Sequence, residues 1–166
     1  MLNVPAFVAA EDKKLAIPLL CWDIANPALE KRVQIHNDIQ AFEGLIVSHK
    51  WQLSINFKSL LIENHTLIVT NLLRQVIWTS QSFQTMTGHT PEDVVGLTLS
   101  FLQGPKTNLQ TKMFIKEKLA NFEKLETRIL NYRKNGESYW CSIKIFPIQN
   151  TQGTITHYIA VEKELN

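Results

Sequence analysis

The last third of the chain consists of three segments of alternating apolar and polar residues, joined by two glycine-containing turns. Residues 126–133, 138–148 and 155–165 show the period of two that is typical of half-buried β-strands. The turns are Lys134-Asn135-Gly136 and Thr151-Gln152-Gly153, and Asn-Gly between two such strands indicates a hairpin. Hairpins join antiparallel neighbours, so this region can fold only into an antiparallel sheet.

Three helices are predicted before these strands. Ser80 is placed to cap the first, over residues 81–86, which ends at the next glycine. The second begins at Thr90-Pro91-Glu92-Asp93, because threonine caps, proline suits the first turn and acids favour the helix dipole. It ends at Gly96. The spacing of apolar residues predicts a longer helix over residues 107–123.

Two further strands precede the helices. Residues 66–70 and 75–79 are β-branched and apolar, and the short connection Asn71–Arg74 predicts a hairpin between them. The order of elements from residue 66 onward is therefore β-β-α-α-α-β-β-β. Such an order predicts an α+β fold, in which one antiparallel sheet carries helices on one face.

The first part of the chain has a different pattern. Residues 1–28 are irregular, and their large apolar residues (Phe7, Leu19, Leu20 and Trp22) predict an arm that packs on something. Residues 28–50 have helical spacing. Residues 51–63 are ambiguous: Trp51, Leu53, Ile55 and Phe57 alternate as in a strand, while Trp51, Ile55 and Ile62 also fit a helix. We favour a second helix that breaks near Asn64-His65.

Composition narrows the range of partners. The net charge of +2 is too small to indicate nucleic acid or an anionic membrane. The apolar stretch near the N-terminus is followed, not preceded, by basic residues, and the run from Leu15 to Trp22 is too short to span a bilayer. Cys21 and Cys141 are far apart and form no metal-ligand pair. We therefore expect a soluble, reduced, cytoplasmic protein without a membrane segment.

Several short segments resemble the PAS superfamily, and most closely its light-oxygen-voltage (LOV) branch of flavin-binding blue-light sensors. The resemblance covers about residues 66 to 165. It implies a five-stranded antiparallel sheet with a ligand cleft between sheet and helices. It also implies a division into an N-terminal arm and helical extension (1–63) and a LOV-like PAS domain (64–166). The segments that carry it are Ser82-Phe83 to Thr87-Gly88, Pro91-Glu92-Asp93 to Gly96, Phe101-Leu102-Gln103-Gly104-Pro105 with Thr107, Ile129 to Gly136, Tyr139-Trp140, Pro147-Ile148, Gly153 and Tyr158 to Val161.

The resemblance also identifies what the chain lacks. LOV photochemistry needs a thiol over the flavin C4a atom, in a Gly-x-Asn-Cys-Arg-Phe-Leu-Gln-Gly motif. In this chain Leu99 stands at the cysteine position, and an alkyl side chain supplies no thiolate. Thr98 replaces the preceding asparagine, and Ser100 replaces the arginine that pairs with the flavin phosphate. We therefore expect no cysteinyl-flavin adduct.

The other positions of the family's flavin pocket are partly kept. Gln103 and Asn131 are retained, and Lys116 falls near the second phosphate arginine. Cys141 replaces the second ring-binding asparagine, and Glu162 replaces the glutamine of the last strand. Losing about three polar contacts at roughly 0.5–1.5 kcal/mol each, together with a phosphate arginine, predicts a degenerate site in which FMN binds weakly or not at all.

Two functions remain open at this point. The first is a stand-alone PAS sensory and interaction module without catalysis, which forms a homodimer through its N-terminal helices or outer sheet face and signals to an unknown downstream protein. For it we expect no kinase, cyclase or DNA-binding segment after the last strand. The alternative is a flavin-binding redox or light sensor without the thiol, photoreduced by Trp140 or Tyr132. No catalytic motif is present. His36 and His49 are expected at surface or boundary positions, and His89 is expected to be a solvent-facing turn residue, rather than metal ligands. The predicted helix 107–123 contains no histidine to ligate heme.

Overall fold

The computed structural model describes residues 26–165. The predicted arm over residues 1–25, with Cys21, lies outside this range. The described chain is α+β and contains five α-helices, one 3₁₀ turn and six strands. In chain order they are α1 (Pro27–His49), β1 (Trp51–Gln52), α2 (Phe57–Ile62), β2 (Thr66–Asn71), β3 (Val76–Thr79), α3 (Ser82–Thr87), α4 (Pro91–Val94), the 3₁₀ turn (Leu99–Leu102), α5 (Leu109–Ala120), β4 (Leu125–Tyr132), β5 (Ser138–Asn150) and β6 (Ile155–Leu165).

All strands pair antiparallel in one sheet, as predicted. β6 lies between β5 and β2, and β3 pairs with the other side of β2. The long strand β5 pairs with β4 along residues 138–145, and its far end pairs with β1 through Gln149 and Asn150. The five strands from residue 66 onward are those predicted, and β1 is an addition from the N-terminal extension.

Residues 51–63 combine the two alternatives that the sequence left open. Trp51 and Gln52 form a strand, so the prediction of one continuous helix is wrong at its start. The helix begins only at Phe57, because the Asn56 side chain accepts a hydrogen bond from the amide of Ser59. The alternating apolar residues at the beginning of the segment were the correct indication of strand.

Helices α1 and α2 lie against the outer face of the sheet. That face presents Leu67, Val69, Ile159 and Val161 from β2 and β6. α1 contributes the fully buried Phe42, whose ring is 4.8 Å from Phe57, 5.1 Å from Trp78 and 6.1 Å from Trp51. The helical extension is thus packed in cis on the sheet through one aromatic cluster.

The remaining helices cover the inner face. Phe83, Val94 and Leu102, from α3, α4 and the 3₁₀ turn, pack on Ile68 and Ala160 of the sheet. α5 lies over β4 and β6, and the hydroxyl of Tyr158 donates to its Leu119 carbonyl at 2.6 Å. Helices therefore lie on both faces, with those of the PAS-like region on the inner one.

The beginnings of two helices differ from the sequence prediction. Ser80 does not cap α3: its hydroxyl accepts from the amide of Leu67 at 3.0 Å. The Asp38 carboxylate, from α1, accepts from the Gln81 amide instead, at 3.0 and 3.1 Å. α5 begins at Leu109 and not at the predicted residue 107: Asn108 caps it, while the Thr107 hydroxyl binds two other backbone groups.

Candidate functional site

A cavity of about 330 Å³ lies between the inner face of the sheet, the 3₁₀ turn and α5. Most of the surface of its wall is apolar, although about half of the residues that line it are polar or charged. This size and composition are those of small-molecule sites. The lining residues are Thr70, Arg74, Thr98, Leu99, Ser100, Leu102, Gln103, Lys112, Ile115, Lys116, Leu119, Ile129, Asn131, Ile143, Ile145, Tyr158, Ala160 and Glu162.

The structure brings six of the seven predicted site residues to this cavity. Leu99 and Thr98 come from the 3₁₀ turn and its start, Gln103 from its end and Lys116 from α5. Asn131 and Glu162 come from β4 and β6, and the seventh residue, Cys141, does not line the cavity. The resemblance to the LOV flavin pocket predicted that these residues lie together, although up to 64 positions separate them (from 98 to 162).

Backbone pairing with β3 positions the wall that carries Leu99. The Val76 amide donates to the Leu97 carbonyl, the Gly96 amide donates to the Val76 carbonyl, and Thr98 forms an isolated bridge with Gln75. The chain then turns into the 3₁₀ segment, where the hydroxyls of Thr98 and Ser100 are 2.7 Å apart. Leu99 is half-buried and packs on the Ile68 cluster. Its side chain thus forms a fixed apolar part of the wall.

The segment after the 3₁₀ turn is fastened to β4. Thr107 accepts from the Gly104 amide at 2.9 Å and donates to the Leu130 carbonyl at 2.7 Å. A Cβ atom at Gly104 would lie 2.4 Å from the Tyr132 ring, so only glycine permits this approach. The Tyr132 hydroxyl accepts from the Lys106 amide at 3.1 Å. These contacts hold the segment from Gln103 to Thr107 against β4 and so fix this part of the cavity wall.

The sheet side of the cavity contains a buried carboxyl. Glu162 is 4% exposed, and burial raises its pKa to about 7, because the charged form loses its water. A hydrogen bond from Cys141 opposes this rise and favours the charged form. Asn131, also 4% exposed, lies on the same side of the cavity. Two buried polar groups thus form part of the cavity wall.

Cys141 lies behind this wall rather than in it. It is fully buried in a cluster with Met86, Ile129 and Ile143, and its thiol is 3.6 Å from the Glu162 carboxylate. Burial first, and the nearby Glu162 second, raise the pKa of the thiol far above its usual range. The group is therefore a neutral S–H donor and not a nucleophile.

Three basic residues also line the cavity. Lys112 and Lys116 come from α5, and Arg74 comes from the turn between β2 and β3. Only Lys116 was predicted. The sequence could have indicated Arg74 by its place at the end of a short connection between two strands. It could have indicated Lys112 by its place one helical turn before Lys116.

The helix over the cavity is loosely packed. None of the residues of α5 is buried. Ile115 and Leu119 face the sheet but stay half-exposed, while Leu109 and Met113 are 65% and 62% exposed. A ligand in the cavity would supply packing partners that this helix lacks.

The histidines form no metal site in the described part of the chain, where no group of three or more His, Cys, Asp or Glu residues comes together. His36 is exposed, and His49 stacks on Trp51. His89 is half-buried with its ring 5.0 Å from Phe101, which differs from the solvent-facing turn residue that its position predicts. Among residues 26–165 no helix is both long and apolar enough to span a membrane.

The family of the chain follows from a match over its larger part. The PAS domain family matches residues 63–166, which contain the sheet from β2 onward and the whole cavity. The chain belongs to the PAS family. Its similarity to phototropin and LOV domains makes this PAS domain LOV-like.

Three known proteins illustrate the similarity. The chain is 34% identical to the Bacterioopsin transcriptional activator of Halobacterium salinarum over 98 residues, 55% of this chain and 14% of that protein. It is 33% identical to Phototropin-2 of Oryza sativa subsp. japonica over 104 residues, 61% of this chain and 12% of that protein. The LOV domain from the Erythrobacter litoralis EL346 blue-light activated histidine kinase superposes with a TM-score of 0.58 and 25% identity, covering 61% of this chain and 96% of that one. The chain thus spans only 12 to 14% of the length of the two curated relatives.

Proposed function

We propose that this PAS sensory domain works without cysteinyl-flavin photochemistry. The observation that carries the proposal is Leu99, which forms the cavity wall at the position where the LOV motif has its cysteine. A covalent adduct requires a thiolate next to the ligand, and an isobutyl side chain provides none.

The described cysteine does not replace the missing one. Cys141 does not line the cavity, and its thiol lies 3.6 Å from both the Ser142 carbonyl and the Glu162 carboxylate. A thiol whose pKa is raised by burial stays protonated at neutral pH. Its role is therefore that of a small apolar residue within the sheet.

Absorption spectroscopy tests this proposal. Protein purified with FMN available is expected to be colourless, and any flavin that does bind should show no blue-light bleaching with spontaneous dark recovery. The Leu99→Cys variant alone should not gain such a photocycle; it should also require Thr98→Asn, Ser100→Arg, Cys141→Asn and Glu162→Gln. A reversible adduct in the wild-type protein, or in the single variant, would contradict the proposal.

A second candidate is a flavin-binding redox or light sensor that uses no thiol. The cavity itself favours it, because Gln103, Asn131 and Lys116 all line the wall. The electron donors would differ from those predicted, since Trp140 and Tyr132 do not line the cavity while Tyr158 does. A structured flavin band at near-stoichiometric occupancy would select this candidate.

The domain is proposed to signal by binding other protein chains, and first a second copy of itself. α1 already covers the outer sheet face in cis, so its exposed side remains as the surface for a partner. Leu29 and Val33, 46% and 50% exposed, lie one turn apart on that side. Light scattering should therefore give a dimer mass that Val33→Glu lowers to the monomer; an unchanged dimer would exclude this surface.

A downstream signalling protein, the absence of catalysis, a cytoplasmic location and the domain division at residues 63 and 64 are further parts of this proposal.

A further inference from the structure

We propose that a small surface patch beside the C-terminal end of α5 binds an acidic peptide segment of a partner protein. The segment places one aromatic or large aliphatic side chain in the patch and a carboxylate against its cations. This edge patch consists of Leu72, Leu73, Arg74, Lys116 and Phe122. The proposal rests on the signalling by association proposed above, and it assigns a surface and a chemistry to the downstream partner.

The edge patch borders a pocket of about 170 Å³ between the β2–β3 turn and α5. The residues that line this pocket are Leu72, Arg74, Lys116, Leu119, Ala120 and Tyr158. Its volume is below the roughly 300–1,000 Å³ of most small-molecule sites. The pocket therefore suits a single side chain of a larger partner better than a whole ligand.

The apolar residues of the edge patch are exposed to solvent. Leu73 is 72% exposed, Leu72 44% and Phe122 46%. The Phe122 ring stacks on Tyr158 of the pocket wall, with 6.3 Å between the ring centroids and 12° between the ring planes. Single exposed apolar residues are common, but a group of them beside a pocket is typical of a protein interaction site.

Two residues of the edge patch have a left-handed backbone conformation. Arg74 has a φ of 64° and Phe122 a φ of 56°, where glycine is more favourable than a bulky residue. Phe122 follows the C-cap Asn121 of α5, a position at which helices commonly have glycine. Folding alone would favour glycine there, so we attribute the half-exposed aromatic ring to binding.

The two cations of the edge patch have no acidic partner within the described chain. Among residues 26–165, no carboxylate oxygen lies within 4 Å of Arg74 or Lys116. Lys118, on the same helix, has Glu123 at 2.5 Å. A carboxylate of a partner would therefore complement charges that the chain itself leaves open, and arginine with an aromatic residue is a common anchor pair in interfaces.

An anionic membrane is the other surface that cations and exposed leucines could meet. Two cations on a chain with a net charge of +2 attract such a surface only weakly. The pocket also provides a concave site for one side chain, which a bilayer surface does not require. We therefore favour a protein segment.

Peptide selection tests the assignment although the partner is unidentified. A phage-displayed library of random peptides is selected on the full-length protein, and the best peptide is labelled with fluorescein for anisotropy measurements. Selected peptides should combine Asp or Glu with Phe, Trp or Leu. Replacing the acids of the best peptide by amides, or its large apolar residue by serine, should each weaken binding about tenfold.

Two matched pairs of variants locate the binding surface. Leu73→Ser and Val47→Ser remove apolar side chains of similar exposure, 72% and 77%. Arg74→Gln and Arg32→Gln each remove one positive charge. Val47 and Arg32 lie in α1, on the opposite face of the sheet. Leu73→Ser and Arg74→Gln should each weaken peptide binding about tenfold, whereas the two α1 variants should leave it unchanged.

A further variant, Phe122→Gly, separates binding from folding. Glycine suits the φ of 56°, so the midpoint of urea unfolding should not fall, while peptide affinity should fall about tenfold. Selected peptides without acidic and apolar residues, equal effects within either matched pair, or normal peptide binding by Phe122→Gly would overturn the proposal. Binding to vesicles of phosphatidylcholine and phosphatidylserine that Leu73→Ser abolishes would overturn it in favour of a membrane. None of these measurements uses flavin or the dimer mass, so this inference and the function proposed above can fail separately.

Discussion

The outer face of the sheet carries two helices and a closed aromatic cluster, whereas the inner face carries a cavity under a helix without a buried residue. On the outer face Phe42 is fully buried among the rings of Trp51, Phe57 and Trp78. On the inner face the half-exposed Ile115 and Leu119 of α5 border open space. One sheet thus separates a well-packed layer from an incomplete one.

This difference indicates which part of the molecule contributes most to the free energy of folding and which part responds most to a ligand. Closely packed aromatic residues are costly to remove, because truncation leaves a cavity as well as losing apolar burial. A helix with few buried contacts opens more easily and is more readily changed by a ligand. We infer that the outer layer stabilises the domain and that α5 is the element which senses the occupancy of the cavity.

The largest expected effect tests the outer layer. Phe42→Ala should lower the free energy of unfolding by about 3–5 kcal/mol, because a fully buried aromatic side chain leaves a cavity among three rings. Urea denaturation followed by circular dichroism measures the change. The matched variant on the inner side is Phe114→Ala in α5, where the side chain is 38% exposed. Its effect should be below about 1 kcal/mol. Similar losses in the two variants would show that α5 is as firmly packed as α1.

A smaller effect, which depends on pH, tests the inner layer. Glu162 has a folded pKa of about 7 against an ordinary value of 4.5, so the folded chain binds its proton more tightly than the unfolded chain does. This contribution to stability is complete below pH 4.5 and is lost as pH rises through 7. The Glu162→Gln variant has no carboxyl group to ionise at this position, so it does not lose this stability as pH rises. The variant should therefore exceed the wild type by about 2–3 kcal/mol at pH 8 and differ little at pH 4.5.

Unfolding of both proteins at the two pH values supplies the measurement. Taking the difference between variant and wild type removes the pH dependence of other groups, including Asp38, whose pKa burial raises to about 6. Glu117→Gln, at an exposed position on α5, corrects for the loss of one negative charge. A gap between Glu162→Gln and the wild type that is the same at pH 4.5 and pH 8 would show that the carboxyl is not desolvated.

The sequence predicted the strands of the sheet more completely than the contacts between the sheet and the helices. Period-two patterns and glycine turns predicted the last three strands of the PAS region, and β-branched apolar runs predicted the first two, because these signals are local. The cis packing of α1 was left open, since Phe42 finds its partners through residues that are distant in sequence. The cap of α3 was misplaced for the same reason: Asp38 reaches Gln81 across 43 positions. Arg74 was not predicted among the residues of the cavity, because it lies in a turn that has no periodic pattern.

The hydrogen bond from Gln81 to Asp38 has a consequence for how the molecule should be divided. The segment that matches the PAS family begins at residue 63, yet the first turn of its α3 is completed by a carboxylate from residue 38. A fragment that starts at the family boundary would carry that amide without its acceptor and the outer sheet without its cover. We therefore expect the segment that folds cooperatively to be longer than the segment that matches the PAS family, and to include α1.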